Sequence, residues 1–252
     1  MLVKDERDLF DFSNAFDPEH YLYFYESILT LERLRNELNF LIQYTHLDRP
    51  MKILDVACGY GRHANELSKL GHSVTGLDAL SEFLEIAMAD AIKAGVEVDY
   101  IQCDMRELNY TEKFDRVFVL FNAIGYFGEH ENEQVFYNVY NALKPGGILC
   151  LDSYNRDLFL MHSKPFSVLE REGNFMIDQN RFDTLTGRGW TRRTIMKDRE
   201  IKTFEYSIRF YNPTEIIRLF ERIGFHSCDF YGDWDGSKLD SSSKKMIIVA
   251  KK

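Results

Sequence analysis

Residues 51–67, MKILDVACGYGRHANEL, constrain this chain more than any other stretch, because they join a strand, a glycine turn and a helix with no spacer between them. Ile53, Leu54, Val56 and Ala57 form an apolar run suited to a strand covered on both faces. Ala64, Leu67 and Leu70 then recur at helical spacing. The period changes at Gly59. Without a Cβ at Gly59 and Gly61 the backbone can turn sharply and let a ligand approach, while the unpaired N–H groups of the new helix point at whatever binds there.

Glycine spacing alone leaves two readings open, since Gly59, Gly61 and Ala64 also satisfy the G-x-G-x-x-A form of dinucleotide-binding folds. Two acidic residues narrow the choice. Asp55 precedes the turn, giving Asp55-x-Ala57-x-Gly59-x-Gly61, and Asp78 closes a second apolar strand over residues 73–77. The segment resembles the first motif of class I S-adenosylmethionine-dependent methyltransferases. Further landmarks of that family follow in order. Asp104 comes after a third strand at 98–102, and Lys144-Pro145-Gly146-Gly147 separates a helix over 131–143 from a fifth strand over 148–152. The resemblance covers roughly residues 48–153 and 212–250.

Read independently of that family, the same residues describe strands with crossover helices and a pocket at the strand ends. The expected fold is an α/β doubly wound, seven-stranded, mostly parallel sheet with an antiparallel C-terminal strand, plus an inserted antiparallel β subdomain. Three regions are expected: an N-terminal helical cap over 1–47, a core over 48–153 and 212–252, and an insert over 154–211. The insert is a lid, a substrate subdomain or a dimer surface.

With 45% hydrophobic residues in 252, a substantial core is available, and the net charge of −9 argues against general affinity for nucleic acid or an anionic membrane. No apolar run approaches the roughly 18 residues of a membrane span, and the start MLVKDERDLFDF is too charged for a secretory signal. The expected location is the cytoplasm. The four cysteines, Cys58, Cys103, Cys150 and Cys228, form no C-x-x-C pair and are expected to be reduced packing residues.

Along the chain, residues 1–17 are acidic and aromatic, and 19–47 read as two amphipathic helices. Ser81 is expected to cap a helix ending at Gly95, and a fourth strand is expected over 114–121. Beyond Tyr154 the α/β alternation gives way to β-type segments at 166–170, 174–180, 190–196 and 202–210, read as an antiparallel meander. Phe175, Ile177, Trp190, Phe204, Tyr206 and Ile208 are assigned to one face of it. Residues 156–205 hold ten Lys or Arg against eight Asp or Glu, so this part is less acidic than the remainder. A helix from Pro213 to Ile223 and strands at 225–231 and 245–250 complete the core.

By resemblance, the cofactor is S-adenosyl-L-methionine. Asp78 would accept both ribose hydroxyls, and Asp104 with the Met105 N–H would read adenine. Tyr25 or Tyr21 would face the sulfonium, where an aromatic ring attracts a cation by about 0.5 to 2 kcal/mol. The expected cofactor set is Tyr25, Asp55, Ala57, Gly59, Gly61, Arg62, Asp78, Ala79, Asp104, Met105 and Phe121. Asn122 and Tyr126 follow the fourth strand and, with Arg192 and Arg193 of the insert, are the substrate-facing candidates. No catalytic side chain and no metal ligand is assigned, because alignment dominates transfer from an activated donor. His130 and His162 are read as surface residues. The acceptor is expected to be a small molecule with an N or O nucleophile; no N-P-P-Y box of the nucleic-acid amino methylases is present. A homodimer through the aromatic face, an RNA or protein acceptor, a nicotinamide-dependent oxidoreductase and a catalytically silent cofactor-binding module are the alternatives.

Overall fold

The computed structural model describes residues 12–252. The first eleven residues of the expected N-terminal cap lie outside the described part. Two short helices open the described part, α1 (Phe12–Ala15) and α2 (Pro18–Tyr25), followed by α3 (Leu31–Tyr44). Asp17 caps α2 by accepting from the His20 N–H at 3.1 Å, and Thr30 caps α3 through the Arg33 N–H at 3.2 Å.

Alternation begins at β1 (Lys52–Val56) and continues through α4 (Arg62–Lys69), β2 (Ser73–Asp78), α5 (Ser81–Ala94) and β3 (Val98–Gln102). A 3₁₀ turn (Met105–Glu107), β4 (Phe114–Val119), α6 (Glu129–Ala142) and β5 (Leu143–Tyr154) follow. After β5 come α7 (Arg156–His162) and four strands: β6 (Phe166–Arg171), β7 (Asn174–Asp183), β8 (Arg188–Lys197) and β9 (Glu200–Arg209). The chain closes with α8 (Pro213–Ile223), β10 (Ser227–Tyr231) and β11 (Lys245–Lys251).

Seven strands form one sheet in the order β10-β11-β5-β4-β1-β2-β3, in which β11 runs antiparallel to both neighbours and the other pairs are parallel. Strands β6 to β9 form a separate antiparallel sheet. The α/β expectation and the inserted meander both hold. The period-2 alternation of the buried strands divides the core. Leu54, Val117, Val119, Leu149 and Ile248 pack on the side of α6 and α8, whereas Ile53, Phe118, Cys150 and Ile247 pack on the side of α3 and α4. Leu38, Phe40 and Leu41 place α3 in that second layer, while Phe16 after α1, Tyr21 and Tyr25 of α2 and Arg33 at the start of α3 lie at the strand ends.

Four local expectations are corrected. Strand β4 stops at Val119, because Phe121 and Asn122 have φ of 66° and 59°, which a strand cannot accommodate. Ser81 does not cap α5; Leu80 occupies the cap position, and the Asp78 carboxylate accepts from its N–H at 3.0 Å. Helix α7 was not anticipated; Asn155 starts it by accepting from the Asp157 N–H at 3.1 Å. The faces of the four-stranded sheet also differ from the expectation. Pairing of Phe204 with Arg193, and of Arg193 with Asp178, puts Phe204, Tyr206 and Ile208 on one face, whereas Phe175, Ile177 and Trp190 fall on the other.

A third apolar cluster joins this sheet to α2 through buried Phe24, Met176 and Ile195. Among the described residues, no helix is long and apolar enough to cross a membrane.

Candidate functional site

The C-terminal ends of β1 to β4 open into a cavity of about 340 Å³, which α2 and the four-stranded sheet cover from above. Its floor is the turn after β1, where Ala57, Gly59 and Gly61 have φ of 55°, 54° and 76°. The two glycines serve different needs. A Cβ on Gly59 would meet nothing within 4 Å, so that position leaves room for a ligand. On Gly61 it would lie 2.2 Å from the Tyr100 hydroxyl and 2.8 Å from Ala87 Cβ. Gly61 is thus required by packing behind the turn and does not line the cavity, contrary to its expected place in the cofactor set.

Asp78 stands at the end of β2 and accepts from the Gly59 N–H at Oδ2 (2.8 Å) and from the Leu80 N–H at Oδ1. Each oxygen keeps acceptor capacity toward the cavity. Burial raises its pKa despite these two donors. Asp55, inside β1, is 1% exposed, and its Oδ2 has no partner among the described residues. Burial pushes its carboxyl up to about 7, and nearby Arg62 only partly offsets this.

Asp104 differs from the reading made for it. The Arg106 N–H donates to Oδ1 at 2.8 Å, and the Arg106 guanidinium grips both oxygens, with Nη2 2.7 Å from Oδ2. Against the cost of burial, these bonds hold the carboxyl below its ordinary range. Asp104 lines the cavity beside Met105 and Ala79, but its carboxylate caps the turn and pairs with Arg106, which leaves it less free to read a base.

One end of the cavity is cationic. Arg33, Arg62 and Lys245 surround the Phe121 ring at 4.6, 5.2 and 5.8 Å from its centroid. Glu37, 1% exposed, binds Arg33 Nε at 2.7 Å, Arg62 Nη1, and His63 Nε2 at 2.8 Å. Burial would lift the Glu37 carboxyl, but His63 and Arg62 outweigh it and hold the group well below the carboxylate range. Burial and the adjacent Arg62 push the His63 pKa down, against the pull of Glu37. Arg62 Nη2 is buried and has no partner among the described residues.

Asp152, fully buried, accepts from the Phe121 N–H and from Lys245 Nζ at 2.7 Å, and Lys245 also reaches Asn122 Oδ1 at 3.3 Å. The Tyr126 hydroxyl donates to the Asn122 carbonyl at 3.1 Å. Two successive left-handed residues that are not glycine are costly, and these contacts hold them in place.

The roof comes from distant parts of the chain. Tyr21 and Tyr25 of α2 lie 4.9 Å apart, with Phe83 packed edge-on to Tyr21 at 5.5 Å. Burial raises the Tyr21 hydroxyl far above the range in which it could act as a base. Tyr206 and Ile208 come from β9, and Arg193 from β8. Arg193 reaches the cavity, but its fork is filled by Asp178 through Nε and Nη2, both at 2.7 Å; Nη2 also donates to the Tyr25 hydroxyl at 3.2 Å. Arg192 does not reach the cavity. It is exposed on the opposite face, 3.9 Å from Glu205. Arg188 ties the sheet to the loop after β4 by donating to the Phe127 carbonyl from Nη1 at 3.0 Å and Nη2 at 2.9 Å.

Tyr25, Asp55, Ala57, Gly59, Arg62, Asp78, Ala79, Asp104, Met105, Phe121, Asn122, Tyr126 and Arg193 are therefore brought to one cavity, and Gly61 and Arg192 are not. Cys58 lines it too, with a thiol pushed well up by burial, so it packs and does not react as a thiolate. His130 is exposed. Sequence reading missed Arg33, Glu37, Asp152 and Lys245. Glu37 had a signal: it falls on the Leu34-Leu38-Leu41 stripe of α3, where a carboxylate must find buried partners. Among the described residues, no group of three or more His, Cys, Asp or Glu is arranged to hold a metal ion.

Residues 53–147 match the family of methyltransferase domains. Over 233 residues the chain is 28% identical to the glycine/sarcosine N-methyltransferase of Halorhodospira halochloris, covering 87% of this chain and 82% of that protein. Among solved structures it is similar to the CcbJ methyltransferase of Streptomyces caelestis, with TM-score 0.76 and 20% identity, over 88% of this chain and 95% of that one. It is also similar to CalS10, an amino pentose methyltransferase of Micromonospora echinaspora solved with SAM bound. There the TM-score is 0.66 and the identity 20%, over 92% and 96% of the two chains. At these identities the structural likenesses establish the fold.

Proposed function

From a match of residues 53–147 to methyltransferase domains, and from a fold like that of class I S-adenosylmethionine-dependent methyltransferases, we propose methyl transfer from S-adenosylmethionine to a small-molecule N or O acceptor. One observation carries the cofactor reading. The cavity holds two buried polar atoms of opposite character without partners, Asp55 Oδ2 and Arg62 Nη2, beside the open cradle at Gly59. An amino-acid end bearing both an ammonium and a carboxylate fits that pair. Asp55 would take the ammonium, and Arg62 with Arg33 the carboxylate. Asp78 would accept the ribose hydroxyls with the lone pairs its backbone donors leave. Tyr21 and Tyr25 would close over the reacting centre from α2.

When bound, S-adenosylmethionine supplies a methyl carbon on a positive sulfur: the acceptor's lone pair takes the methyl, the carbon–sulfur bond breaks onto sulfur, and the acceptor gives a proton to water. The protein's part is alignment. Holding acceptor and methyl in line at about 3 to 3.5 Å removes much of the entropic barrier. Asn122, Tyr126, Tyr206 and Ile208 are placed to position the acceptor, and residues 154–211 act as its inserted lid. An antiparallel β11 between β5 and β10 stands where a dinucleotide sheet continues in parallel, which weighs against the nicotinamide alternative.

The named relatives support a small acceptor: one carries glycine and sarcosine in its name, another an amino pentose. Incubation with methyl-labelled S-adenosylmethionine and separate pools of small amines, small alcohols and tRNA tests this. Label should enter a small-molecule pool. Label entering only tRNA would overturn the acceptor assignment.

A further inference from the structure

A second cavity, of about 330 Å³, lies beside the first, and Tyr154 lines both. It is bounded by α7, the turn into β6, and Lys244 just ahead of β11. Its charged lining has one sign. Lys164, Lys244 and His162 stand with the hydroxyls of Ser163 and Ser167, and none of the residues lining it is a carboxylate, in a chain of net charge −9. Neither lysine is neutralised in place. Lys164 forms no ion pair among the described residues, and Lys244 comes only within 3.9 Å of Asp233 with its side chain 84% exposed.

The walls are fixed by specific bonds. Buried Asn155 caps α7 and also donates to the carbonyls of Asp240 at 2.9 Å and Ser243 at 2.7 Å. One side chain thereby sets both the helix that ends at His162 and the loop that presents Lys244. On the facing wall the Asn180 N–H donates to the Pro165 carbonyl at 2.7 Å, holding the Lys164 turn against β7. Tyr154, at the end of β5, lines both cavities and pairs in register with Lys245, which lines the first.

We propose that the second cavity binds an anionic group of the methyl acceptor, a phosphate or a carboxylate. Lys164 and Lys244 are its counter-ions, and Ser163 and Ser167 its hydroxyl donors. The nucleophilic end of the same molecule reaches past Tyr154 into the first cavity. The acceptor is then an amine or alcohol carrying its negative charge on a separate arm. Calling the ligand an acceptor rests on the methyl-transfer reading above; the anion site itself does not.

The test is titration of the full chain with inorganic phosphate and, separately, acetate, followed by backbone amide NMR. Saturable shifts at Ser163 and Ser167 are expected, weakened at least about tenfold in the Lys164→Ala/Lys244→Ala double variant, as for loss of charge-assisted bonds. A response to phosphate alone assigns a phosphate arm, and a response to acetate alone a carboxylate arm. No saturable shift with either anion, or shifts unchanged in the double variant, overturns the site. Calorimetry with S-adenosylmethionine separates the two readings. Affinity within about twofold of wild type in the double variant shows the first cavity intact. A wild type that binds phosphate here but no S-adenosylmethionine contradicts the cofactor reading and leaves the anion site standing.

Discussion

The floor and the roof of the main cavity are assembled in opposite ways. The floor is local: Asp55 to Arg62 lie on one turn, and Asp78 reaches back nineteen residues to the Gly59 N–H. The roof is remote: the Tyr25 hydroxyl meets Arg193 across 168 residues, and the apolar cluster around Phe24 joins α2 to strands that follow β5. A floor made from one turn can be held constant while the roof varies, which is the division the proposed function assigns to cofactor and acceptor.

The largest expected effect is at the cationic end of the cavity, where the floor's Arg62 meets α3. Replacing Glu37 by Ala leaves Arg33 and Arg62 without their shared buried carboxylate, and should cost about 3 to 5 kcal/mol in urea denaturation. A loss under about 1 kcal/mol would remove Glu37 as the organiser of that end. Asp78→Ala comes next, weakening S-adenosylmethionine binding by about 2 kcal/mol while Arg193→Ala on the roof stays within about 0.5 kcal/mol. Equal losses in the two variants would break the division of labour.

Asp55 supplies a smaller effect with a definite sign. A cationic group beside it favours the carboxylate, so binding releases a proton, and affinity should rise with pH until the carboxyl, lifted to about 7, is ionised. Asp55→Asn should flatten the profile. In the free protein the same shift runs the other way. A carboxyl raised on folding contributes its full stability below its unfolded pKa of about 4, and that contribution is lost as pH rises through about 7. Calorimetry from pH 5.5 to 8.5, a range of about 1.5 units to either side, measures the first effect and urea melts the second. The smallest effect belongs to Arg192→Ala, which should change neither stability nor turnover by more than about 0.5 kcal/mol, because the side chain lies exposed on the face away from the cavity.

What could be read in the chain follows the same division. The strand, glycine turn and helix at 51–67 announce themselves through a change of period, and Asp78 through its place at a strand end. The roof could be read only as a meander. Its faces depend on the register of three hairpins, and assigning Phe175 to the face of Phe204 missed the slip that pairing with β8 imposes. Alternation offers Arg192 or Arg193 to the cavity without choosing between them; Arg193 lines it, but its partner Asp178 lies on another strand, and no local pattern announces a buried pair across a ladder. Asp104 shows the converse limit. The position after β3 is legible, whereas its capture by Arg106, two residues on, is a rotamer outcome. Asp152 and Lys245 come together only because β11 pairs antiparallel with β5, a contact spanning 93 residues.

Whether this cavity is built for S-adenosylmethionine is decided by calorimetric titration of the full chain with S-adenosylmethionine and with NAD. Saturable binding of S-adenosylmethionine at one site per chain and no heat from NAD are expected. Binding of NAD, or no binding of S-adenosylmethionine, would contradict it.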